Sequence, residues 1–171
     1  MNICVEGCDN SGKTTLVEAL AQIYERQVRH ATRPANDVAA KMLFEEEVDE
    51  DGSWILDRSQ AISGYIYDSV VRKQIPLFSM EHISTLARCT LLIICLPPKE
   101  LVLGDQSREQ MPGVRENHEA LYDAYAELVY GDHDFPGGSI DGASVFVFDY
   151  TKHHLGDVID WITDMLGGPL Y

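Results

Sequence analysis

Basic residues are scarce in this chain. Thirteen Lys plus Arg stand against 28 Asp plus Glu in 171 residues, a formal net charge of −15 and a pI near 4.6. Such a surface repels polyanions at long range, which argues against a general role in coating DNA or RNA. A small anionic ligand stays compatible with it if a few cations converge in one pocket. Cysteine is sparse as well. Cys4, Cys8, Cys89 and Cys95 form no C-x-x-C pair and no zinc-finger spacing with histidine, so they read as reduced, mostly core thiols. Long apolar runs are missing: the longest, Leu91–Leu96, is strand-sized, far below the roughly 18–20 residues of a membrane span. Met1-Asn2-Ile3-Cys4-Val5-Glu6 lacks the basic and apolar segments of a signal peptide, so a cytoplasmic location away from any membrane is expected. No repeat, low-complexity tract or Pro/Gly/Ser linker divides the chain, and residues 1–171 are expected to form one domain.

What is present is an alternation of short apolar runs with helical patterns. Strands are expected at Asn2–Glu6, Val28–Ala31, Ser53–Leu56, Thr90–Leu96 and Val145–Phe148. Helices are expected at Lys13–Arg26, Asn36–Glu46, Ser59–Val71, Met80–Ala87, Asn117–Val129 and Leu155–Leu166. Thr90–Leu96 is continuous and β-rich, as a central strand covered on both faces must be. Alternation over the whole length predicts an α/β fold, a five-stranded parallel sheet with helices on both faces. Ligands of such sheets bind beyond the carboxyl ends of the strands. The chemistry is therefore expected after Glu6, Ala31, Asp57, Leu96 and Phe148.

Gly7-Cys8-Asp9-Asn10-Ser11-Gly12-Lys13-Thr14 matches G-x-x-x-x-G-K-[ST] without a mismatch, between the first strand and the first helix. Glycines let backbone amides turn inward into an anion-binding nest, and the helix directs its positive dipole end at the same spot. Gly7, Asp9, Asn10, Ser11, Gly12, Lys13, Thr14 and Thr15 are accordingly expected to hold the polyphosphate of ATP. Lys13 would reach the β- and γ-phosphates, and the Thr14 hydroxyl would ligate Mg²⁺. Cys8, inside this loop, makes oxidant sensitivity an expectation.

Triphosphate binding alone leaves switch, motor and kinase open. No N-K-x-D loop is present to read guanine, and the chain is short for a motor. A small kinase needs a carboxylate near the γ-phosphate and cations to cover the transfer. Asp57, ending Trp54-Ile55-Leu56-Asp57, can act through water on Mg²⁺ or as the base for an acceptor hydroxyl; capping the next helix is its alternative role. Arg58 beside it would stabilise the transferring phosphoryl.

Glu6-Gly7-Cys8-Asp9-Asn10-Ser11-Gly12-Lys13-Thr14-Thr15 resembles the E-G-x-D-x-x-G-K-[ST]-T opening of thymidylate kinases. Thr32-Arg33-Pro34 is similar to their T-R-E-P segment. Leu56-Asp57-Arg58-Ser59 falls between their D-R-[YF] and the E-R-S of deoxynucleoside kinases, and Leu96-Pro97-Pro98-Lys99-Glu100 resembles the turn leading into their LID. The chain thus looks like a compact, phage-type member of the P-loop nucleotide and nucleoside kinase group. The resemblance implies a three-layer P-loop kinase fold, with ATP and Mg²⁺ as cofactors. It implies Lys13, Asp57, Arg58 and a LID arginine, Arg108, as catalytic residues, with Thr14 and Asp57 serving the metal. Asp9, Arg33, Arg58, Tyr65, Arg72 and Arg115 would contact the acceptor, with Tyr65 and Tyr67 as stacking candidates for a pyrimidine.

The acceptor region, about 32–52 and 59–80, is short, and the LID, about 104–116, is reduced. Ser59 in place of an aromatic leans toward a hydroxyl acceptor. The expected acceptor is a thymidine-type deoxynucleotide, free dTMP or a related monophosphate. The alternative is a phage kinase acting on the hydroxymethyl group of 5-hydroxymethyluracil in DNA. A deoxynucleoside kinase and a non-enzymatic ATP-binding regulator are further alternatives, and a homodimer is compatible with the chain. Glu45–Asp51, an acid run, reads as a solvated helix end and loop.

Overall fold

The computed structural model describes residues 1–49, 52–104, 113–131 and 145–168. Its five strands are β1 (Asn2–Glu6), β2 (Val28–His30), β3 (Ile55–Asp57), β4 (Thr90–Cys95) and β5 (Val145–Phe148). Its helices are α1 (Lys13–Ile23), α2 (Asp37–Glu47), α3 (Gln60–Val70), α4 (Met80–Cys89), α5 (Lys99–Gly104), α6 (Val114–Tyr130) and α7 (Leu155–Met165). The strands lie in the order β2-β3-β1-β4-β5, every neighbouring pair parallel. The expected α/β architecture, a parallel sheet with helices on both faces, is what forms.

Strand pleating sorts the core into two layers. Ile3, Val5, Leu91 and Ile93 face α1 and α7, where Leu16, Leu20, Val158 and Ile162 cover them. Cys4, Leu56, Leu92 and Ile94 face the opposite way, into Ile62 and Ile66 of α3, Ile83 and Leu86 of α4, and Leu121 and Tyr125 of α6. A sheet buried on both sides accounts for the unbroken apolar character of β1 and β4. Among the described residues no helix is long and apolar enough to cross a membrane.

Two local expectations shift. Pro97-Pro98 ends β4 as expected, but a short helix, α5, follows at once. The acid run is also only partly solvated, because α2 extends to Glu47 and buries that side chain to 3% exposure. The Glu47 carboxylate accepts from the Gln60 amide at 2.7 Å and the Ser59 hydroxyl at 3.0 Å, so it closes the N-terminus of α3. Burial pushes its pKa up to about 7 despite those bonds.

An unfolded glutamate ionises near 4.5 while the folded Glu47 keeps its proton to about 7, so stability falls as pH rises through this window. Glu47→Gln retains the hydrogen-bonding shape without the charge. Denaturant melts should find it more stable than the parent at pH 8, by on the order of 2 kcal/mol, and nearly equal to it at pH 4.

Candidate active site

The loop from Gly7 to Gly12 leaves β1 at the carboxyl edge of the sheet and enters α1 directly. Gly7 (φ +146°) and Gly12 (φ +83°) hold backbone angles that side chains disfavour. A β-carbon on Gly7 would lie 2.7 Å from both the Cys95 carbonyl oxygen and Ser11 Oγ, so only glycine fits this turn. Gly12 is the N-cap of α1 and supplies no capping side chain. Among the described residues, Ser11 Oγ is buried without a partner. Backbone amides at a helix N-terminus fit a polyphosphate. Thr14 and Thr15 are exposed on the first helical turn. No group of three or more Asp, Glu, His or Cys able to hold a metal occurs among the described residues.

Lys13 is largely buried, and its Nζ lies 2.8 Å from Asp57 Oδ1. The other Asp57 oxygen is 2.9 Å from His30 Nδ1. Burial works to raise the Asp57 pKa, but the bonds and charges of Lys13 and His30 outweigh it and hold the carboxylate below its ordinary value. Asp57 is thus an ionised group at the end of β3, beside the Gly7–Gly12 loop.

Arg58 follows in the left-handed region (φ +71°), a conformation that costs a non-glycine residue on the order of 1 kcal/mol. Three contacts hold it there. Nη2 donates to Asp9 at 2.7 Å, Nη1 donates to the Tyr125 hydroxyl at 3.2 Å, and the guanidinium sits 5.3 Å from the Tyr67 ring centre. Behind it lies Glu6, fully buried at the end of β1, accepting from the Ser59 amide at 2.6 Å, Tyr125 at 2.9 Å and Ser63 at 3.1 Å. Burial raises the Glu6 pKa; Arg58, the Ser59 amide, Tyr125 and Lys13 pull it back down. From α6, the buried His118 lies with Nε2 3.0 Å from the Asp9 carbonyl, tying the loop to that helix.

Beyond Asp57 and Arg58 opens a cavity of about 380 Å³. One wall is the segment after β2, with His30, Thr32, Arg33 and Pro34. The other is α3 and the loop after it, with Gln60, Tyr67, Asp68, Arg72 and Phe78. Asp9, Arg33, Arg58 and Arg72 therefore line one cavity. Arg72 pairs with Asp68 at 2.6 Å. Tyr65 and Arg115 are outside this lining: Tyr65 packs against the core, one face of α3 away from Tyr67, and Arg115 is exposed near the start of α6. Arg108 and most of the expected LID lie outside the described residues.

Sequence reasoning missed Glu6 as an organising group, together with Tyr125, His118, His30 and Asp68. Glu6 carried one visible signal, a carboxylate ending an otherwise apolar strand. The others depend on which elements pack together. Ser59, whose identity leaned toward a hydroxyl acceptor, serves the fold instead. It is fully buried, and its hydroxyl caps α3 through the Ala61 amide at 3.0 Å.

The sequence matches no family model and no curated protein. Solved structures do match over nearly the whole length. Bacillus subtilis YorR protein, in complex with phosphorylated GDP, aligns with a TM-score of 0.66 at 12% identity, covering 97% of this chain and 95% of that one. Deoxyadenosine kinase from M. mycoides aligns with a TM-score of 0.55 at 14% identity. Its structure with products dCMP and dCDP covers 97% of this chain and 98% of that one; its structure with dATP covers 98% and 100%. At these identities the likeness establishes the fold: this chain has the α/β architecture of those structures.

Burial also bears on Cys8. It is 1% exposed and its thiol is pushed up to about 12, so at pH 8 only about one molecule in ten thousand carries a thiolate there. Iodoacetamide should label the half-buried Cys89 and leave Cys8 unmodified in the folded protein, as read by peptide mass mapping. In the same site, Tyr125→Phe removes a bond to Glu6 and one to Arg58, and should lower stability by about 1–3 kcal/mol in denaturant melts.

Proposed function

We propose that this chain is a Mg-ATP-dependent phosphotransferase whose acceptor is a small deoxynucleotide, with a thymidine-type monophosphate as the favoured case. One observation carries the reading: the loop that fits a polyphosphate, the Asp57–Arg58 pair and an acceptor-sized cavity adjoin at one edge of the sheet. The cavity volume falls in the range of small-molecule pockets, and its arginines oppose the charge of a phosphorylated acceptor despite the chain's negative balance. Tyr67 and Phe78 offer ring faces for a base.

Bound Mg-ATP would supply the γ-phosphoryl group and a bridging cation. The chain's own part is positioning and charge neutralisation. Loop amides and Lys13 would grip the phosphates, with Thr14 beside them for the cation. Arg58, pre-aimed by Asp9 and Tyr125, would face charge developing on the group in flight. Asp57 would orient a metal-bound water or accept a proton from a hydroxyl acceptor. Arg33 and Arg72 would hold the acceptor's anionic or polar end.

Lys13→Ala should lower turnover at least ~100-fold with the fold intact by circular dichroism, at some cost in melting temperature from the lost ion pair with Asp57. Near-normal turnover would defeat the assignment. The acceptor is tested by offering γ-labelled ATP with dTMP, other deoxynucleoside monophosphates, thymidine and 5-hydroxymethyluracil-containing DNA in parallel. Label on a free monophosphate supports the reading. Label on the DNA alone favours a base within a polymer, and no acceptor-stimulated transfer at all favours an ATP-binding regulator.

A further inference from the structure

We propose that His30 is a positioning residue for Asp57, holding its carboxylate in place once Lys13 has turned to the phosphates. This role rests on the proposed function in one respect, that Lys13 serves a polyphosphate.

Strand register brings the two residues together. β2 and β3 run parallel, and His30 stands opposite Asp57 as the last residue of its strand. The backbone fixes this juxtaposition further, because the Ala31 amide donates to the Asp57 carbonyl at 3.2 Å. Their side chains meet at the carboxyl edge, His30 Nδ1 lying 2.9 Å from Asp57 Oδ2. An ionised carboxylate offers only acceptors, so the imidazole proton in this contact belongs on Nδ1. Asp57 Oδ1 is taken by Lys13 at 2.8 Å. Among the described residues no third side chain donates to this carboxylate.

The two partners differ in what holds them. Lys13 is on the phosphate loop with a long, rotatable stem, and an ammonium that turns toward β- and γ-phosphate oxygens must weaken or leave its bond to Oδ1. His30 has a short side chain on a paired strand and, among the described residues, no other side-chain hydrogen bond. With Lys13 drawn away, His30 is the partner that keeps Asp57 from swinging. Oδ1, freed by Lys13, is then the oxygen available to a water or an acceptor. His30 itself lines the cavity with its side chain mostly exposed, so the device sits at the mouth of the site.

Two readouts test this. In full-length protein saturated with Mg²⁺ and a non-hydrolysable ATP analogue, long-range ¹⁵N-resolved imidazole spectra should show His30 as the Nδ1–H tautomer, and Asp57→Asn should alter that signal. An Nε2–H tautomer in the loaded protein, or a signal indifferent to Asp57→Asn, overturns the proposal. In kinetics, His30→Ala should reduce kcat about tenfold with KM for ATP within about twofold, because ground-state nucleotide binding does not use His30. His30→Asn, whose amide nitrogen can replace Nδ1, should recover most of the loss. An unchanged kcat in His30→Ala, or a change confined to KM for ATP, overturns the proposal. If the parent protein transfers phosphate to no acceptor in the panel, the kinase reading fails while the spectra still decide the role of His30.

Discussion

A carboxylate with no water around it organises this molecule. Glu6 ends β1 at zero exposure, where an uncompensated charge would cost several kcal/mol. Each group that compensates it comes from a different part of the fold: the Ser59 amide from the turn after β3, Ser63 from α3, and Tyr125 from α6. Tyr125 in turn contacts Arg58, and Arg58 contacts Asp9 in the phosphate loop. The loop, the strand-end arginine and two helices are therefore locked to one another through a single buried carboxyl group. In a network of this kind the members stabilise together, because any one left unpaired in a low-dielectric interior is costly.

The second organising contact is an ion pair. Lys13 and Asp57 neutralise each other across the edge of the sheet, which keeps both ordered without a ligand. In the proposed reading, Lys13 would leave this partner to serve phosphates. The same economy shows in the charge distribution. The chain carries −15 in total, yet Arg33, Arg58 and Arg72 face one cavity, and Lys13 stands just behind Asp57 at its edge. Local geometry, over distances shorter than the screening length, decides what a site attracts more than net charge does.

Most of the fold was legible from hydrophobic periodicity, since a parallel sheet covered on both faces writes its strands as continuous apolar runs. Even β2, only three residues long and polar, was found at Val28. The six-residue helix α5 escaped because Pro97-Pro98 reads as a stop and the segment is too short to show a helical period. Glu47 was misread for a related reason. An acid run looks solvated residue by residue, and nothing local marks the one side chain that turns inward to meet the backbone of α3. On α3 itself, Tyr65 and Tyr67 were both candidates, and only packing showed that the buried Tyr67 lines the cavity while Tyr65, half-buried, packs against the core away from it.

The sequence by itself determined the glycine-bounded Gly7–Gly12 loop and the strand-end Asp57-Arg58 pair. Both are local: contiguous residues whose glycines, lysine and strand boundary specify their own conformation. Tertiary structure alone decided that His30 meets Asp57, that Tyr125 and His118 reach the loop from α6, and that Asp68 and Arg72 close the far side of the cavity. Those encounters depend on strand order, parallel register and helix rotation. All three are set by how the whole core packs, and no short stretch of residues encodes any of them.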